Sequence, residues 1–364
     1  MLNWLLIFVP VAIGLKFFAP EQYTFVFLAS ALAIIPVAGW LGTATEHLAH
    51  RTGEGIGGLL NATFGNAAEL IIAGMALHRG LYPVVKASLT GSIIGNVLLV
   101  LGAAVVAGGV KHKSQKFNAV AARSQSTMLT LAAVSLIGPA AFHYLAGPGG
   151  RVKEDGLSLE ISLVLLVTYA LGLLFSLKTH KQYFAGTPGE PAAHSDEEPW
   201  SVRKALLVLA GATALIAWMS EILVGSVEPA AEAFGMSRVF VGVIVVAIVG
   251  NAAEHSTAVM MAMRNRMELS LGIAIGSSVQ IALFVAPVLV FASYFIGPRH
   301  MDLVFSPAEV MAIVLAVGIT WQISADGESN WLEGVQLLAV YLILALVFFF
   351  LPETTVGQPS QPAH

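Results

Sequence analysis

Two copies of one short motif, Gly65-Asn66-Ala67-Ala68-Glu69-Leu70 and Gly250-Asn251-Ala252-Ala253-Glu254-His255, each set a carboxylate inside an apolar stretch long enough to cross a bilayer. An ionisable side chain at that depth is costly, so by default it faces the protein interior and marks a functional site. The rest of the chain supports the bilayer setting. Of 364 residues, 57% are hydrophobic and 11% charged, against roughly 25% charged in soluble domains. No cysteine is present, which excludes disulfide scaffolds, thiolate metal sites and cysteine nucleophiles. The expected fold class is an all-α polytopic membrane protein.

About eleven spans are predicted, at 1–18, 22–48, 57–78, 84–109, 118–145, 157–177, 202–227, 237–263, 268–296, 306–324 and 331–351. Each is near the ~20 residues a bilayer needs. The first lacks a basic n-region and a small-residue cleavage site, so it reads as a span rather than a cleaved signal peptide. Residues 178–200 are polar and rich in Pro and Gly, which predicts a cytoplasmic linker, and 352–364 form a polar C-terminal tail. Setting the N-terminus in the cytoplasm puts eleven of eighteen basic residues on the inner side, among them Arg51, Lys111, Lys113, Lys116, Arg123, Arg264 and Arg266. The positive-inside bias therefore favours that orientation, with the C-terminus outside. The expected location is a prokaryotic cell membrane.

Register shows that the motif pair belongs to a long repeat. Gly65 and Gly250 lie 185 residues apart, as do Gly57 and Gly242, and Gly91-Ser92 and Gly276-Ser277. Thr45-Glu46 and Ser220-Glu221 occupy the helix before each motif. One N-terminal helix (1–18) is thus followed by two five-helix repeats, 22–177 and 201–351. Because five is odd, the second repeat enters the membrane from the opposite side. This inverted arrangement is the one in which secondary transporters place a substrate near the midplane between halves.

On a helix, Asn66 and Glu69 share a face, as do Asn251 and Glu254. Two such faces meeting across a pseudo-twofold present two carboxylates and two amide oxygens to one small volume. An oxygen-only set of this kind suits a hard cation such as calcium and suits soft metals poorly. The motif glycines allow close approach or unwinding, which adds carbonyl oxygens. Ser92, Asn96, Ser277, Ser278 and Gln280 are candidate oxygen neighbours on the next helix of each half. Two carboxylates in a dry site cannot both stay charged when it is empty. They are expected to hold protons or a divalent cation, and a site that alternates between the two and faces each side in turn is an exchanger.

At these motifs the chain resembles the calcium/proton exchanger branch of the calcium/cation antiporter superfamily, over nearly its whole length and including one helix ahead of five plus five. The resemblance implies calcium as the transported substrate, with Glu69 and Glu254 as shared calcium and proton sites and no cofactor. Members also often carry an acidic helix between halves, where this chain offers the short acidic cluster Asp196, Glu197 and Glu198.

Other readings stay open at this stage. A sodium-driven calcium exchanger or a monovalent cation/proton exchanger of the same superfamily fits the same motifs. An intramembrane acid/base enzyme lacks a nucleophile-plus-base constellation here, and channels usually build their ring from identical subunits. Asn66 and Asn251 also suit interhelical hydrogen bonding, and Ser92, Ser277 and Gln280 suit helix association. Glu46 and Glu221 are candidate proton-coupling groups, yet sit near span ends where solvation explains them equally. His255 and His47 read as packing or tuning residues. Gly53, Gly55 and Gly58 match GxGxxG without a preceding strand, so no dinucleotide site is expected. The basic run from Lys111 to Arg123 follows from topology without nucleic acid, leaving anionic lipid as a partner. Homo-oligomerisation is undecided by sequence.

Overall fold

The structure is a computed structural model and describes residues 3–52, 54–147, 153–183 and 200–351. It is almost wholly helical, as expected for a polytopic membrane protein. Among the described residues, eight helices are long and apolar enough to span a bilayer. They are α2 (Tyr23–Thr52), α5 (Tyr82–Lys111), α6 (Ala119–Leu145), α7 (Glu154–Thr179), α8 (Val202–Phe234), α9 (Arg238–Met263), α10 (Met267–Ile296) and α12 (Trp331–Phe350). Three expected spans are met by shorter apolar helices, α1 (Asn3–Phe18), α4 (Ala67–His78) and α11 (Pro307–Ile323). The central linker, with Asp196, Glu197 and Glu198, and the C-terminal tail lie outside the described residues.

Two expectations are corrected. The span predicted at 57–78 is not one helix: α3 (Glu54–Phe64) and α4 are broken at Gly65-Asn66. Asn66 therefore precedes α4 as its N-cap residue, with φ −102° and ψ 26°, instead of lying within the helix. Glycine and asparagine together make this the weakest helical step in the stretch. The second motif keeps its helix. α9 runs through Gly250-Asn251 unbroken and carries a π-helical segment, Val241–Val246, before it. The other difference is α8, which continues past residue 227 through Pro229 to a left-handed Gly235 (φ 64°), a common helix terminator. Glu221 therefore stands well inside a helix.

Packing follows the repeat. α2 and α8, the Glu-bearing helices, pack along each other with α1 against both, and α5 crosses α9 at the centre. The turn between α4 and α5 places Gly80 at φ 74°, and the turn between α9 and α10 places Asn265 at φ 60°, 185 residues away. Both turns require the left-handed region that Gly and Asn tolerate best. π-helical segments at Gly95–Val100 in α5 and Ile281–Val285 in α10 form a further matched pair. Two short strands, β1 (Gln115–Lys116) and β2 (Glu328–Ser329), pair antiparallel between loops. The buried apolar side chains run continuously from α2 to α12, with a smaller cluster between α2, α4 and α8.

Candidate ion site

The motif residues meet at the centre, and they do so by exchange. Each glutamate lies against the glycine of the other copy. A Cβ built on Gly250 would stand 3.3 Å from Glu69 Cγ, and one built on Gly65 would stand 3.7 Å from Glu254 Oε1. The missing side chain at Gly250 thus makes room for Glu69, while Glu254 stands at ordinary contact distance from Gly65. Glu69 is 8% exposed, and Glu254 is half-buried.

The amides show the same exchange. Asn66 Oδ1 accepts from Ser277 Oγ (2.9 Å), and Asn251 Nδ2 donates to Ser92 Oγ (2.9 Å). Adding 185 to one member of the first pair and subtracting it from the other yields the second pair. Each asparagine, 1% exposed, is therefore held by the Gly-Ser helix of the opposite half. Three further residues break the symmetry. Gln280 Oε1 accepts from Asn66 Nδ2. Asn96 Nδ2 reaches both Asn251 Oδ1 (3.3 Å) and Ser277 Oγ (3.1 Å), and Asn96 Oδ1 faces His255 Nε2 at 3.2 Å. Their counterparts at 185-residue spacing are Gly95, Ile281 and Leu70, none of which has a polar side chain.

Polar demand in this core is uneven. Both asparagine side chains are partnered at each end, whereas Glu69 Oε2 and Glu254 Oε2 are buried with no hydrogen-bond partner. A buried carboxylate oxygen without a partner is unstable as it stands and calls for a proton or a cation. Among the described residues no group of three His, Cys, Asp or Glu side chains converges. A cation held by the two glutamates therefore takes its other ligands from amide, hydroxyl or backbone oxygens or from water, which suits a hard ion.

A cavity of about 1320 Å³ leads to this point from one face, lined by Glu46, Gly65, Gly250, Glu254, Ser277 and Gln280, with Asn118, Arg264 and Arg266 along its walls. Glu254 borders it; Glu69, Asn66 and Asn251 do not. The two acidic helices diverge in use. Glu46 is exposed on the cavity wall, while Glu221 lies away from it, in an exposed ion pair with Arg79 (3.7 Å). Neither joins the central network. Ser278 also stands apart, donating to the Ile93 and Ala274 carbonyls, which makes it helix glue. His47 stacks on Trp200, ring centroids 4.5 Å apart, as a packing residue.

Sequence reading passed over Asn61 and Gln125, which also line the cavity. A lone amide in an apolar span was the available signal. It also passed over Glu309, buried at the start of α11, where its carboxylate and Ser306 form a reciprocal cap. The Ser306-Pro307-Ala308-Glu309 spacing carries that signal.

The sodium/calcium exchanger protein family matches over residues 22–178 and 204–350. A "Ca(2+)/H(+) antiporter" of Synechocystis sp. is 46% identical over 364 residues, covering 96% of each chain. A "Ca(2+)/H(+) antiporter ChaA" of Bacillus subtilis is 47% identical over 326 residues, covering 89% of this chain and 92% of its own. Among solved structures, native YfkE superposes with a TM-score of 0.80 at 42% identity, over 95% of this chain and 100% of that one.

Proposed function

The chain belongs to the sodium/calcium exchanger protein family, and we propose that it exchanges calcium for protons across a membrane by alternating access. Glu69 and Glu254 are the groups that hold calcium or protons in turn, and the amide oxygens of Asn66 and Asn251 help complete the oxygen shell. The observation that carries this reading is the pair of carboxylates, one from each repeat, each lying on the other's motif glycine and each with a buried, unpartnered oxygen. With a divalent ion present both acids are ionised; when it leaves, protons replace it, since two bare charges cannot share so dry a volume. The names of the relatives from Synechocystis and Bacillus subtilis support the same cargo.

The repeats are taken as 22–177 and 201–351, inserted in opposite senses, with the N-terminus in the cytoplasm of a prokaryotic cell. In that orientation the cavity opens inward, because its walls carry Arg264 and Arg266 from the basic side. Glu46 then stands on the inner route and Glu221 on the outer side, where Arg79 holds it. One face of α7, bearing Leu163, Val164, Val167, Leu171 and Leu174, is exposed and faces acyl chains.

The test is calcium uptake by purified protein in liposomes under imposed pH, sodium or potassium gradients. Uptake driven by the pH gradient alone is expected. Uptake that requires a sodium gradient would replace this reading with sodium-driven exchange.

A further inference from the structure

One amide on α5 connects the second motif to the first, with no counterpart in the repeat. Asn96 lies in the π-helical segment Gly95–Val100 and is 1% exposed. A π-turn re-aims side chains relative to a regular helix and recurs at functional positions. The direction of every hydrogen bond around Asn96 is fixed by one backbone group. Asn251 Nδ2 donates to the Ala247 carbonyl at 2.9 Å; a carbonyl only accepts, so Asn251 cannot be turned over. Its Oδ1 is therefore the atom facing Asn96, and Asn96 must answer with Nδ2. The same nitrogen donates to Ser277 Oγ, whose own hydrogen goes to Asn66 Oδ1. With both hydrogens used, Asn96 Oδ1 is left for His255 Nε2, and a carboxamide oxygen accepts only. His255 must then carry a hydrogen on Nε2.

We propose that Asn96 is a positioning residue of the exchange site, orienting Asn251 and Ser277 toward the ion and fixing His255 as the Nε2–H tautomer. This rests on the reading that Glu69, Glu254 and the motif asparagines hold the ion. The counterpart of Asn96, Ile281, has no polar group, so the device acts from the first repeat on the second only.

The experiment pairs transport kinetics with ¹⁵N NMR of protein labelled at histidine, the His255 signal being assigned by its loss in His255→Gln. At a pH where the ring is neutral, the wild-type spectrum is expected to show Nε2 protonated and Nδ1 bare. Asn96→Leu is expected to mix the tautomers, whereas the isosteric Asn96→Asp, which replaces two donors with acceptors but still offers an acceptor to the ring, is expected to keep Nε2–H. Each is expected to raise the calcium KM by about tenfold while changing maximal rate less than about threefold, a split that a general loss of folding does not produce. An Nδ1–H ring in the wild type overturns the proposal without any variant having to fold. So does an unchanged KM in both folded variants. The underlying reading fails separately: full exchange by Glu254→Gln would sink it whatever the tautomer shows.

Discussion

Glu69 lies across Gly250 so closely that a Cβ there would stand 3.3 Å from its Cγ and 3.6 Å from its Oε1. That separation is tighter than ordinary contact, yet the obstructing atoms belong to a side chain that can move by a few tenths of an ångström. Gly250→Ala is therefore expected to fold and to misplace one carboxylate slightly, raising the calcium KM by about tenfold. This is less than the ~100-fold that a full ångström costs at a reacting centre. Gly65→Ala should be worse, because its Cβ would meet the Asn61 backbone oxygen at 2.7 Å and the end of α3 must shift. Proteoliposome uptake across a calcium series separates the two.

Replacing either glutamate by glutamine keeps shape and removes charge. A carboxylate about 4 Å from a cation is worth several kcal/mol at an effective dielectric near 20, so exchange should fall by at least ~100-fold. Thermal unfolding in detergent should barely change, since the orphaned Oε2 atoms have no protein partner to lose. Robust exchange by Glu254→Gln would remove that residue from the mechanism.

Competition between calcium and protons sets the sign of the pH dependence. Lowering pH fills the carboxylates with protons and expels calcium; raising it releases them. Apparent calcium affinity should therefore tighten with rising pH, by about tenfold per unit if one proton leaves per ion and about 100-fold if two leave. The gain stops once the empty site is ionised on its own. Isothermal titration in buffers of differing ionisation heat counts the protons directly. A pH-independent affinity with no proton release contradicts a shared site.

Glu46 offers a different kind of test, since it is exposed on the cavity wall and touches nothing in the central network. A carboxylate there, beside Glu254 and Glu268 on the same walls, raises local cation concentration without binding tightly. Glu46→Gln should raise the calcium KM a few-fold at low salt and have almost no effect near 0.5 M, where screening confines a charge to ~4 Å. A loss of maximal rate that persists at high salt would instead assign Glu46 to proton transfer.

Much of this arrangement was legible in the residues because it is carried by spacing. The 185-residue register that links Gly65 to Gly250 also links the reciprocal pairs Asn66–Ser277 and Asn251–Ser92, and it extends to the left-handed turn residues Gly80 and Asn265. Hydropathy located eight long apolar helices among the described residues for the same reason: length and apolarity are local properties. What spacing could not supply is where the symmetry fails. Both motifs read GNAAE, yet only the first helix breaks; Asn66 there donates to Gln280 of α10, whereas Asn251 donates to the Ala247 carbonyl of its own helix. Glu46 and Glu221 likewise occupy matched places in sequence, and only their surroundings separate a cavity wall from an ion pair with Arg79.

The crossing of α5 and α9 gives the sharpest structural prediction, because two glycines four residues apart on α5 have opposite surroundings. A Cβ on Gly91 would fall 1.9 Å from the Val243 carbonyl oxygen and 2.5 Å from its carbon, whereas one on Gly95 would meet nothing within 4 Å. Backbone cannot yield as a side chain does, so Gly91→Ala must push the two helices apart. Overpacking of this kind costs about 3 kcal/mol or more. Gly95→Ala adds a better helix former in open space and should stay within ~1 kcal/mol of wild type. From the other side of the crossing, a Cβ on Gly242 would stand 2.6 Å from Ala87 Cβ and 3.2 Å from the Val84 carbonyl oxygen, so Gly242→Ala should be damaging alone and only partly restored by Ala87→Gly. Unfolding temperatures of the four proteins in detergent, read beside calcium uptake, decide it. Equal tolerance at Gly91 and Gly95 would mean that the close contact at Val243 does not hold the halves together.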